Sequence, residues 1–304
     1  MYKRVLVTGS SGFLGSHIAD TLTEKGYKVI LFDCEPSKWK NSNQEEIIGD
    51  ILNFDDVCSA IKDCDVVYHF AAQADIDSAD KSPIQTLEPN ILGTLNVLEA
   101  ARINNIKRFI FSSTIYVYSE LGSFYRVSKQ SCEKIIEEYQ KSYQLNYTIL
   151  RYGSLYGPRA NEFNFISNSI IQALQYKKIV RRGDGKEIRE YIHVKDAARL
   201  SIKALEEKYK NKHLIITGNQ QIKVRDLLIM IKEIFNGGIE IEFQNEENTH
   251  HYEITPYNYK SQVAMKISPD TYFDLGQGLM DQIYDIEMAM SKSKEKKVSL
   301  RERK

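Results

Sequence analysis

A short apolar run followed by regularly spaced glycines opens the chain and constrains its fold more than any other feature. Residues 5–7 are apolar, glycines follow at Gly9, Gly12 and Gly15, and Asp33 comes at the end of a second apolar run. Glycine lets the backbone turn sharply and lets a diphosphate approach the N-terminus of the next helix. A carboxylate about this far downstream bonds an adenosine ribose. The order of strand, glycine turn, helix, strand and acid predicts a dinucleotide site.

The glycine spacing and the acid also indicate which dinucleotide is held. The spacing is G-x-x-G-x-x-G, one residue wider at its first step than the G-x-G-x-x-G of ordinary dehydrogenases. The Asp33 carboxylate accepts hydrogen bonds from a free 2′-hydroxyl and repels a 2′-phosphate, and no arginine stands beside it to offset that repulsion. The sequence therefore favours NAD over NADP.

Alternating strand and helix patterns over the first half of the chain predict an α/β fold with a doubly wound parallel sheet of the Rossmann type. We expect residues 1–152 to form the dinucleotide-binding domain, with residues 190–217 returning to it. Residues 153–290 are expected to form mainly a smaller, irregular C-terminal substrate lobe over the carboxyl ends of the strands. Within the first domain, residues 83–103 read as one helix. The charged residues 291–304 are expected to be a disordered tail.

Composition excludes several classes of partner. The 41 basic and 41 acidic residues give a formal net charge of zero, so nucleic acid and membrane surfaces are not expected partners. No apolar stretch approaches the roughly 20 residues needed to cross a bilayer. The chain begins directly with a predicted strand and shows no leader, which favours a cytoplasmic location. The four cysteines lack C-x-x-C spacing, and the adjacent pair His250 and His251 is more typical of a surface loop than of a metal site.

A tyrosine and a lysine with helical spacing are the first candidates for chemistry. Tyr125 and Lys129 stand four residues apart at the start of a predicted helix, so their side chains share one face. Tyrosine normally titrates near pH 10, and a nearby ammonium favours the phenolate that could serve as a base. Thr114 ends a predicted strand just upstream, where its hydroxyl could bond the same substrate oxygen.

At this point the chain resembles the extended short-chain dehydrogenase/reductase family, and within it the NAD-dependent nucleotide-sugar epimerases and dehydratases. The likeness runs over roughly residues 3–196 and becomes weaker beyond. Its pieces follow the family's order, and they are the glycine turn 8–15, Asp33, the segments 49–51 and 69–72, Asn90-x-x-Gly93-Thr94, 111–114, Tyr125-x-x-x-Lys129, 150–152, 156–159 and 189–196.

The resemblance implies a role for individual residues. For the cofactor, Gly9, Gly12, Phe13 and Leu14 would hold the diphosphate, Asp33 the ribose, Asp50 and Ile51 the adenine, and Ala71 and Ala72 the nicotinamide side. For catalysis, Tyr125 would be the base, Lys129 would also hold the nicotinamide ribose, and Thr114 takes the place of the catalytic serine or threonine. For the nucleotide-diphosphate sugar, Arg189 matches the arginine that grips the diphosphate. Family members usually dimerise through the helices that here span 91–103 and 125–144, which predicts a homodimer or higher homo-oligomer.

The chain departs from the family's pattern at three places. Dehydratases carry an Asp-Glu pair directly after the threonine, whereas Ile115 and Tyr116 follow Thr114 here, so dehydration is not expected. Ser154 stands where an asparagine usually contacts the sugar. The interval between Thr114 and Tyr125 is much shorter than usual, which should widen the mouth of the site and favour release of a ketone.

Three functions remain open from the sequence. The leading one is a 4-epimerase, in which Tyr125 takes the C4 hydroxyl proton, NAD takes the hydride, and the 4-keto sugar turns over before it is reduced from its other face. The second is a dehydrogenase that releases the 4-keto sugar, with a nucleotide-linked heptose as one substrate that would suit an open site. The third is a non-catalytic dinucleotide sensor, which the presence of Thr114, Tyr125 and Lys129 disfavours.

Overall fold

An eight-stranded parallel sheet forms the centre of the molecule. The computed structural model describes residues 2–244, 265–267 and 271–301. The strands are β1 (Arg4–Thr8), β2 (Lys28–Asp33), β3 (Gln44–Ile48), β4 (Val66–His69), β5 (Arg108–Thr114), β6 (Tyr147–Tyr152), β7 (Ser154–Tyr156), β8 (Lys178–Arg182), β9 (Ile188–His193), β10 (Lys212–Ile216), β11 (Gln221–Lys223), β12 (Glu240–Gln244) and β13 (Met265–Lys266). The large sheet has the order β13-β10-β6-β5-β4-β1-β2-β3, and all its pairings are parallel. The predicted doubly wound sheet is confirmed.

Helices cover both faces of this sheet. They are α1 (Phe13–Glu24), α2 (Phe54–Ile61), α3 (Ile76–Lys81), α4 (Pro83–Leu87), α5 (Thr94–Ile103), α6 (Ser123–Tyr143), α7 (Phe165–Tyr176), α8 (Val194–Lys203), α9 (Val224–Ile234) and α10 (Leu275–Arg301). One apolar core joins α1 and α8 to the sheet, and a second core joins α2, α5 and α6 to its other face. Strands buried on both sides explain the continuous Val, Leu and Ile runs in the sequence.

The helix predicted over residues 83–103 is interrupted. Between α4 and α5 the chain forms a π-helical turn over Glu88–Gly93. Pro89 cannot donate the backbone hydrogen bond that an α-helix needs there. Asn90, which is buried, donates from its side-chain amide to the Ser128 hydroxyl at 2.9 Å and accepts from the Gln73 backbone N–H at 2.7 Å. The turn therefore points a polar side chain toward α6 and the loop after β4.

The C-terminal part of the chain is more regular than the sequence predicts. A three-stranded sheet has the order β11-β9-β7, and β12 pairs with β8. A third apolar core connects these strands with α7, α9 and α10. The segment expected to return to the first domain contributes β10, which lies next to β6 in the large sheet, and α8, which packs in the first apolar core.

The last described helix reaches the segment expected to be a disordered tail. Helix α10 extends to Arg301, and four lysines, which favour helix formation, lie between residues 291 and 301. The disorder expected for residues 291–304 stays a prediction. The predictions for residues 302–304 and for the pair His250 and His251 lie outside the described residues. Over the ranges given above, no helix combines the length and apolarity needed to cross a bilayer.

Candidate active site

The glycine turn forms a cradle between β1, α1 and the end of β4. Gly9 has a φ of +69°, and a Cβ placed on it would lie 2.5 Å from the Ala71 backbone nitrogen. A Cβ on Gly15 would lie 2.0 Å from the Gly9 carbonyl oxygen. The N-cap residue of α1 is Gly12, which has no side chain to cap the helix, and the first turn of α1 holds no acidic residue. Free helix N–H groups without a competing carboxylate suit a diphosphate, so the cradle fits a dinucleotide such as NAD.

Ser10 adds a donor to this cradle that the sequence analysis did not single out. Its side chain is buried, and its hydroxyl has no hydrogen-bond partner among the residues that the structure describes. A buried hydroxyl of this kind ordinarily has a partner, so its position in the turn favours a ligand oxygen. The signal available in the sequence was its place between two glycines. Phe13 and Leu14, both partly buried, follow at the start of α1.

The structure brings Asp33 to the same cradle. One carboxylate oxygen accepts a hydrogen bond from the Ser11 backbone N–H at 2.9 Å, which fixes the acid against the glycine turn. The other oxygen accepts a longer bond of 3.3 Å from the Glu35 backbone N–H. Both oxygens retain acceptor capacity for a ribose hydroxyl.

The predicted adenine contacts lie on the same side of the sheet, beyond β3. The Ile51 side chain is buried, and a Cβ on Gly93 would lie 2.4 Å from it. Asn96 donates its side-chain amide to the Ile51 carbonyl at 3.0 Å, which fixes this turn to α5. Asp50 is exposed, and its carboxylate accepts from the Leu52 backbone N–H at 2.9 Å.

A buried polar chain supports the end of β4, where Ala71 and Ala72 lie partly buried beside the glycine turn. The Thr8 hydroxyl lies 2.7 Å from one ring nitrogen of His69 and accepts from the Ala71 backbone N–H at 3.2 Å. The other ring nitrogen of His69 lies 3.0 Å from the Thr94 hydroxyl. Burial, together with the charge of Lys129, lowers the pKa of His69 to about 3, so the ring is neutral. It therefore acts as a spacer between two hydroxyl groups.

Thr114, Tyr125 and Lys129 come together as the sequence predicts. Burial raises the pKa of Tyr125 to about 12, although a hydrogen bond with Thr114 lowers it in part. The Lys129 ammonium is buried, donates to the Ser112 carbonyl at 2.9 Å and lies 5.8 Å from the centre of the Tyr125 ring. Burial lowers the pKa of Lys129 to about 8, against the raising effect of Cys132 and Glu133. The Tyr125 ring and the Lys129 ammonium therefore lie side by side at the end of β5.

The short interval between Thr114 and Tyr125 is a compact turn. It begins with a 3-10 helix over Ile115–Tyr118, which Thr114 caps by accepting from the Tyr116 backbone N–H at 3.2 Å. It ends at Gly122, which has a φ of +103°. A Cβ placed on Gly122 would lie 2.7 Å from the Tyr116 ring. Arg126 donates to the Ser119 carbonyl at 3.0 Å and holds the turn closed.

The two predicted substrate residues lie on the three-stranded sheet. Ser154 begins β7, two residues after the Tyr152 that pairs with Thr114, and is itself paired with Tyr191 of β9. Arg189 lies on β9, is buried, and donates to the Ile188 carbonyl at 3.0 Å. Both residues are therefore attached to the edge of the large sheet where parallel strands end, which is where open α/β sheets bind ligands.

A sequence model of the NAD-dependent epimerase/dehydratase family matches residues 5–217. The chain belongs to that family. It is 34% identical over 263 residues to the "Putative UDP-glucose 4-epimerase" of Methanocaldococcus jannaschii, with 80% of this chain and 84% of that protein covered. It is 30% identical over 268 residues to the UDP-N-acetyl-alpha-D-glucosaminuronate decarboxylase of Bacillus cytotoxicus, with 79% and 83% covered.

The fold is also similar to that of a solved relative. The UDP-glucose 4-epimerase of Thermotoga maritima, determined with UDP-glucose, superposes with a TM-score of 0.84 at 26% identity and covers 94% of this chain and 99% of its own. This likeness and the family membership confirm the predicted fold, the NAD dependence and the assignment as an enzyme that modifies nucleotide sugars. The sensor alternative is therefore not supported.

Proposed function

We propose that the protein is a nucleotide-sugar 4-epimerase. The observation that carries this proposal is the composition of the proton-transfer site: Tyr125 is hydrogen-bonded to Thr114 with the Lys129 ammonium nearby, and Ile115 and Tyr116 occupy the two positions after Thr114. One base can deprotonate a hydroxyl and later return the proton. Elimination of water in the dehydratases uses an additional pair of carboxyl side chains, and neither of the two residues after Thr114 carries a carboxyl group.

The same residues explain why proton transfer would wait for ligands. A phenol whose pKa is about 12 must become about 5 pH units more acidic to act near neutrality, which corresponds to about 7 kcal/mol. A positively charged cofactor held near the phenol, together with the Lys129 ammonium, would favour the phenolate. NAD, when bound, supplies the acceptor that takes a hydride from the sugar C4 and returns it. Tyr125 would then hold the C4 oxygen's proton, and Thr114 would orient that oxygen.

The substrate would be a nucleotide diphosphate sugar held at the sheet edge. Arg189 is a buried cation on β9, and a guanidinium binds a diphosphate in a bidentate manner. Ser154 would contribute a hydroxyl toward the sugar. The solved relative from Thermotoga maritima was determined with UDP-glucose, which favours a uridine nucleotide as the first substrate to test. The cytoplasmic location remains a prediction of the sequence.

A homodimer through α5 and α6 also belongs to this proposal. The two helices expose large apolar side chains, including Leu95 and Ile103 on α5 and Val127 and Tyr143 on α6. Exposed large apolar side chains on two neighbouring helices are typical of interfaces. Light scattering should give twice the 35.1 kDa chain mass, and a Leu95→Glu variant should give the monomer mass. A monomer in the unsubstituted protein would contradict this part.

The experiment that tests the activity compares Tyr125→Phe with Tyr176→Phe. Tyr176 lies on α7 and is 72% exposed, so its substitution controls for the loss of a phenol. NAD-loaded protein is mixed with UDP-, GDP-, CDP- and dTDP-sugars, heptoses included, and products are read by NMR. We expect a C4 epimer that Tyr125→Phe abolishes and Tyr176→Phe retains. An epimer formed equally by both variants would contradict the role of Tyr125.

The dehydrogenase alternative keeps one observation in its favour. The compact turn between Thr114 and Tyr125 leaves out most of the loop that covers the sugar in relatives of this type, and it is held closed on itself by Gly122 and Arg126. An open site would release a 4-keto sugar more readily. Stoichiometric reduced cofactor together with a 4-keto product, in the same NMR assay, would replace the epimerase assignment with this one.

A further inference from the structure

A buried ionic cluster lies directly behind the end of β5. Glu133 and Arg151 are joined by two hydrogen bonds, of 2.9 Å from Nε to Oε1 and 2.6 Å from Nη2 to Oε2. Arg151 also donates to the Tyr118 hydroxyl at 2.6 Å and lies 2.9 Å from the His213 ring nitrogen Nδ1. Glu133 is 3% exposed and Arg151 is 1% exposed. A pair so deeply buried is stable only while both partners remain.

This cluster touches the strand that carries the reactive threonine. The Ser113 hydroxyl donates to Glu133 Oε1 at 2.6 Å, and Ser113 is the direct cross-strand neighbour of Arg151 in the pairing of β5 with β6. Charged groups form shorter and stronger hydrogen bonds than neutral ones, so Ser113 has little freedom to move. Its neighbour Thr114 shares that constraint through the backbone.

Three side chains on one face of α6 contact three consecutive residues of β5. Tyr125, Lys129 and Glu133 stand at intervals of four residues, which places them on one face of α6. Tyr125 bonds Thr114, Lys129 donates to the Ser112 carbonyl, and Glu133 accepts from Ser113. Three successive turns of the helix thus hold three consecutive residues of the strand. Among these three side chains of α6, Glu133 is the charged acceptor, and Arg151 fixes its carboxylate.

We infer that Glu133 is a positioning residue of the active site, which fixes the end of β5 relative to α6 and keeps an anion one helical turn from the Lys129 ammonium. The inference rests on the proposed function, in which Tyr125 and Lys129 move the proton. Glu133 has no direct contact with substrate or cofactor in the proposed reaction. It acts through Ser113 and through its charge.

The charge of Glu133 has a measurable consequence at Lys129. The titratable groups that influence Lys129 are Cys132 and Glu133 from α6 and His69 from β4, while the Tyr125 ring faces it from one turn earlier. His69 is neutral and the pKa of the Cys132 thiol is raised by burial, which leaves Glu133 as the anion among them. Replacing Glu133 by glutamine removes that anion and leaves Arg151 without its counter-charge. Both effects disfavour the ammonium form of Lys129.

The test compares Glu133→Gln with Glu137→Gln. Glu137 is one turn further along α6, is also buried, and lies 3.2 Å from the other end of His213, so it is a matched control. The pKa of Lys129 is measured on the NAD-free protein by competitive acetylation across pH, read by mass spectrometry. We expect Glu133→Gln to lower that pKa by at least about one pH unit. The control should leave it unchanged.

Activity supplies the second readout. Glu133→Gln should reduce kcat about ten- to a hundredfold, because small misplacements of reacting groups carry penalties of this size, with little change in the sugar KM. Glu137→Gln should stay within about threefold of the unsubstituted enzyme in kcat, as expected for a group outside the site. A folded Glu133→Gln variant with unaltered Lys129 pKa and kcat would overturn the inference.

Ser113→Ala separates the two actions of Glu133 and serves if Glu133→Gln does not fold. It removes the 2.6 Å bond to the strand and keeps the ion pair with Arg151. We expect kcat to fall while the pKa of Lys129 is unchanged, and an unchanged kcat would overturn the positioning role. If no sugar is a substrate, the proposed function fails, whereas the labelling measurement on Glu133→Gln still decides whether Glu133 controls Lys129.

Discussion

Replacing Gly9 by alanine should weaken NAD binding strongly because the added methyl group clashes with the end of β4. A control substitution can separate this clash from the effect of backbone strain. Gly9 has a φ of +69°, and a methyl group there would lie 2.5, 2.7 and 2.9 Å from backbone atoms of Phe70 and Ala71. These atoms belong to the end of β4 and cannot rotate away. Ordinary van der Waals contact begins at 3.4 Å, so the glycine turn and the end of β4 must separate by roughly 0.9 Å.

Gly26 provides the matched control for this substitution. Its φ is +83°, and a Cβ placed there meets nothing within 4 Å. Both alanine variants therefore incur the left-handed backbone penalty of about 1–2 kcal/mol. Only Gly9→Ala also displaces the diphosphate cradle. Losing two charge-assisted hydrogen bonds at about 1.5 kcal/mol each amounts to about 3 kcal/mol, or more than a hundredfold in the NAD Kd.

The assay is isothermal titration of each folded variant with NAD, accompanied by a thermal unfolding curve. We expect Gly26→Ala to lose some stability and to bind NAD with a Kd within about twofold of the original protein. Gly9→Ala should unfold cooperatively, at a lower temperature, and bind NAD at least about a hundredfold more weakly. Equal Kd values for the two variants would refute the assignment of the glycine turn as the diphosphate site.

Three further changes test other parts of the molecule. Asp33→Asn should weaken NAD binding and reduce the preference for NAD over NADP, because it removes the carboxylate charge that repels a 2′-phosphate. The preference is measured as the ratio of the two Kd values, and an unchanged ratio would contradict the ribose assignment. Burial lowers the pKa of His17 and of His193 from 6.5 to about 4, so the unfolded state binds protons first and stability should fall as pH drops from 6.5 toward 4, by up to about 3 kcal/mol for each histidine. Denaturant midpoints measured across that pH range check this, and His17→Gln should remove the part of the pH dependence of stability that comes from His17. A longer loop grafted between Thr114 and Tyr125 should suppress release of a 4-keto sugar, whereas the same insertion after Gly237, where the chain is open, should not; unchanged release would end the loop hypothesis.

The start of the large sheet could be predicted because its signals are local. The glycine turn, the helix it begins and the acid at the end of β2 lie within residues 4–33, and the Ser11 backbone N–H joins the turn to the Asp33 carboxylate. The pair Tyr125 and Lys129 was predictable for the same reason, since helical spacing alone sets their common face. Single elements of this kind need no knowledge of distant packing.

Features that depend on distant partners could not be predicted. The bond between Glu133 and Arg151 joins α6 to β6, and nothing in the local pattern of either segment indicates the partner. The helices α7 and α9 bury apolar residues in one core that they share with β8, β12 and α10. These elements lie far apart in the sequence, so the pattern along the chain appeared irregular. The π-helical turn is not predictable from the sequence. Pro89 removes one backbone donor, but the chain continues past it as a helix with an altered hydrogen-bond pattern, so the apolar spacing shows no break.

The neighbouring positions of β6 and β10 have a consequence for how this protein could be re-engineered. The chain leaves the large sheet after Tyr152 and re-enters it at β10, and the Gly153 backbone N–H donates to the Ile216 carbonyl at 2.9 Å. Because β6 and β10 are parallel, this bond joins the carboxyl ends of both strands, whereas the chain re-enters at Lys212, beside Thr148 at the opposite edge of the sheet. The excursion includes α8, whose apolar residues pack in the first core against the sheet. Changes in the length of this segment are therefore confined to its parts outside α8, because removing α8 would uncover one face of the sheet.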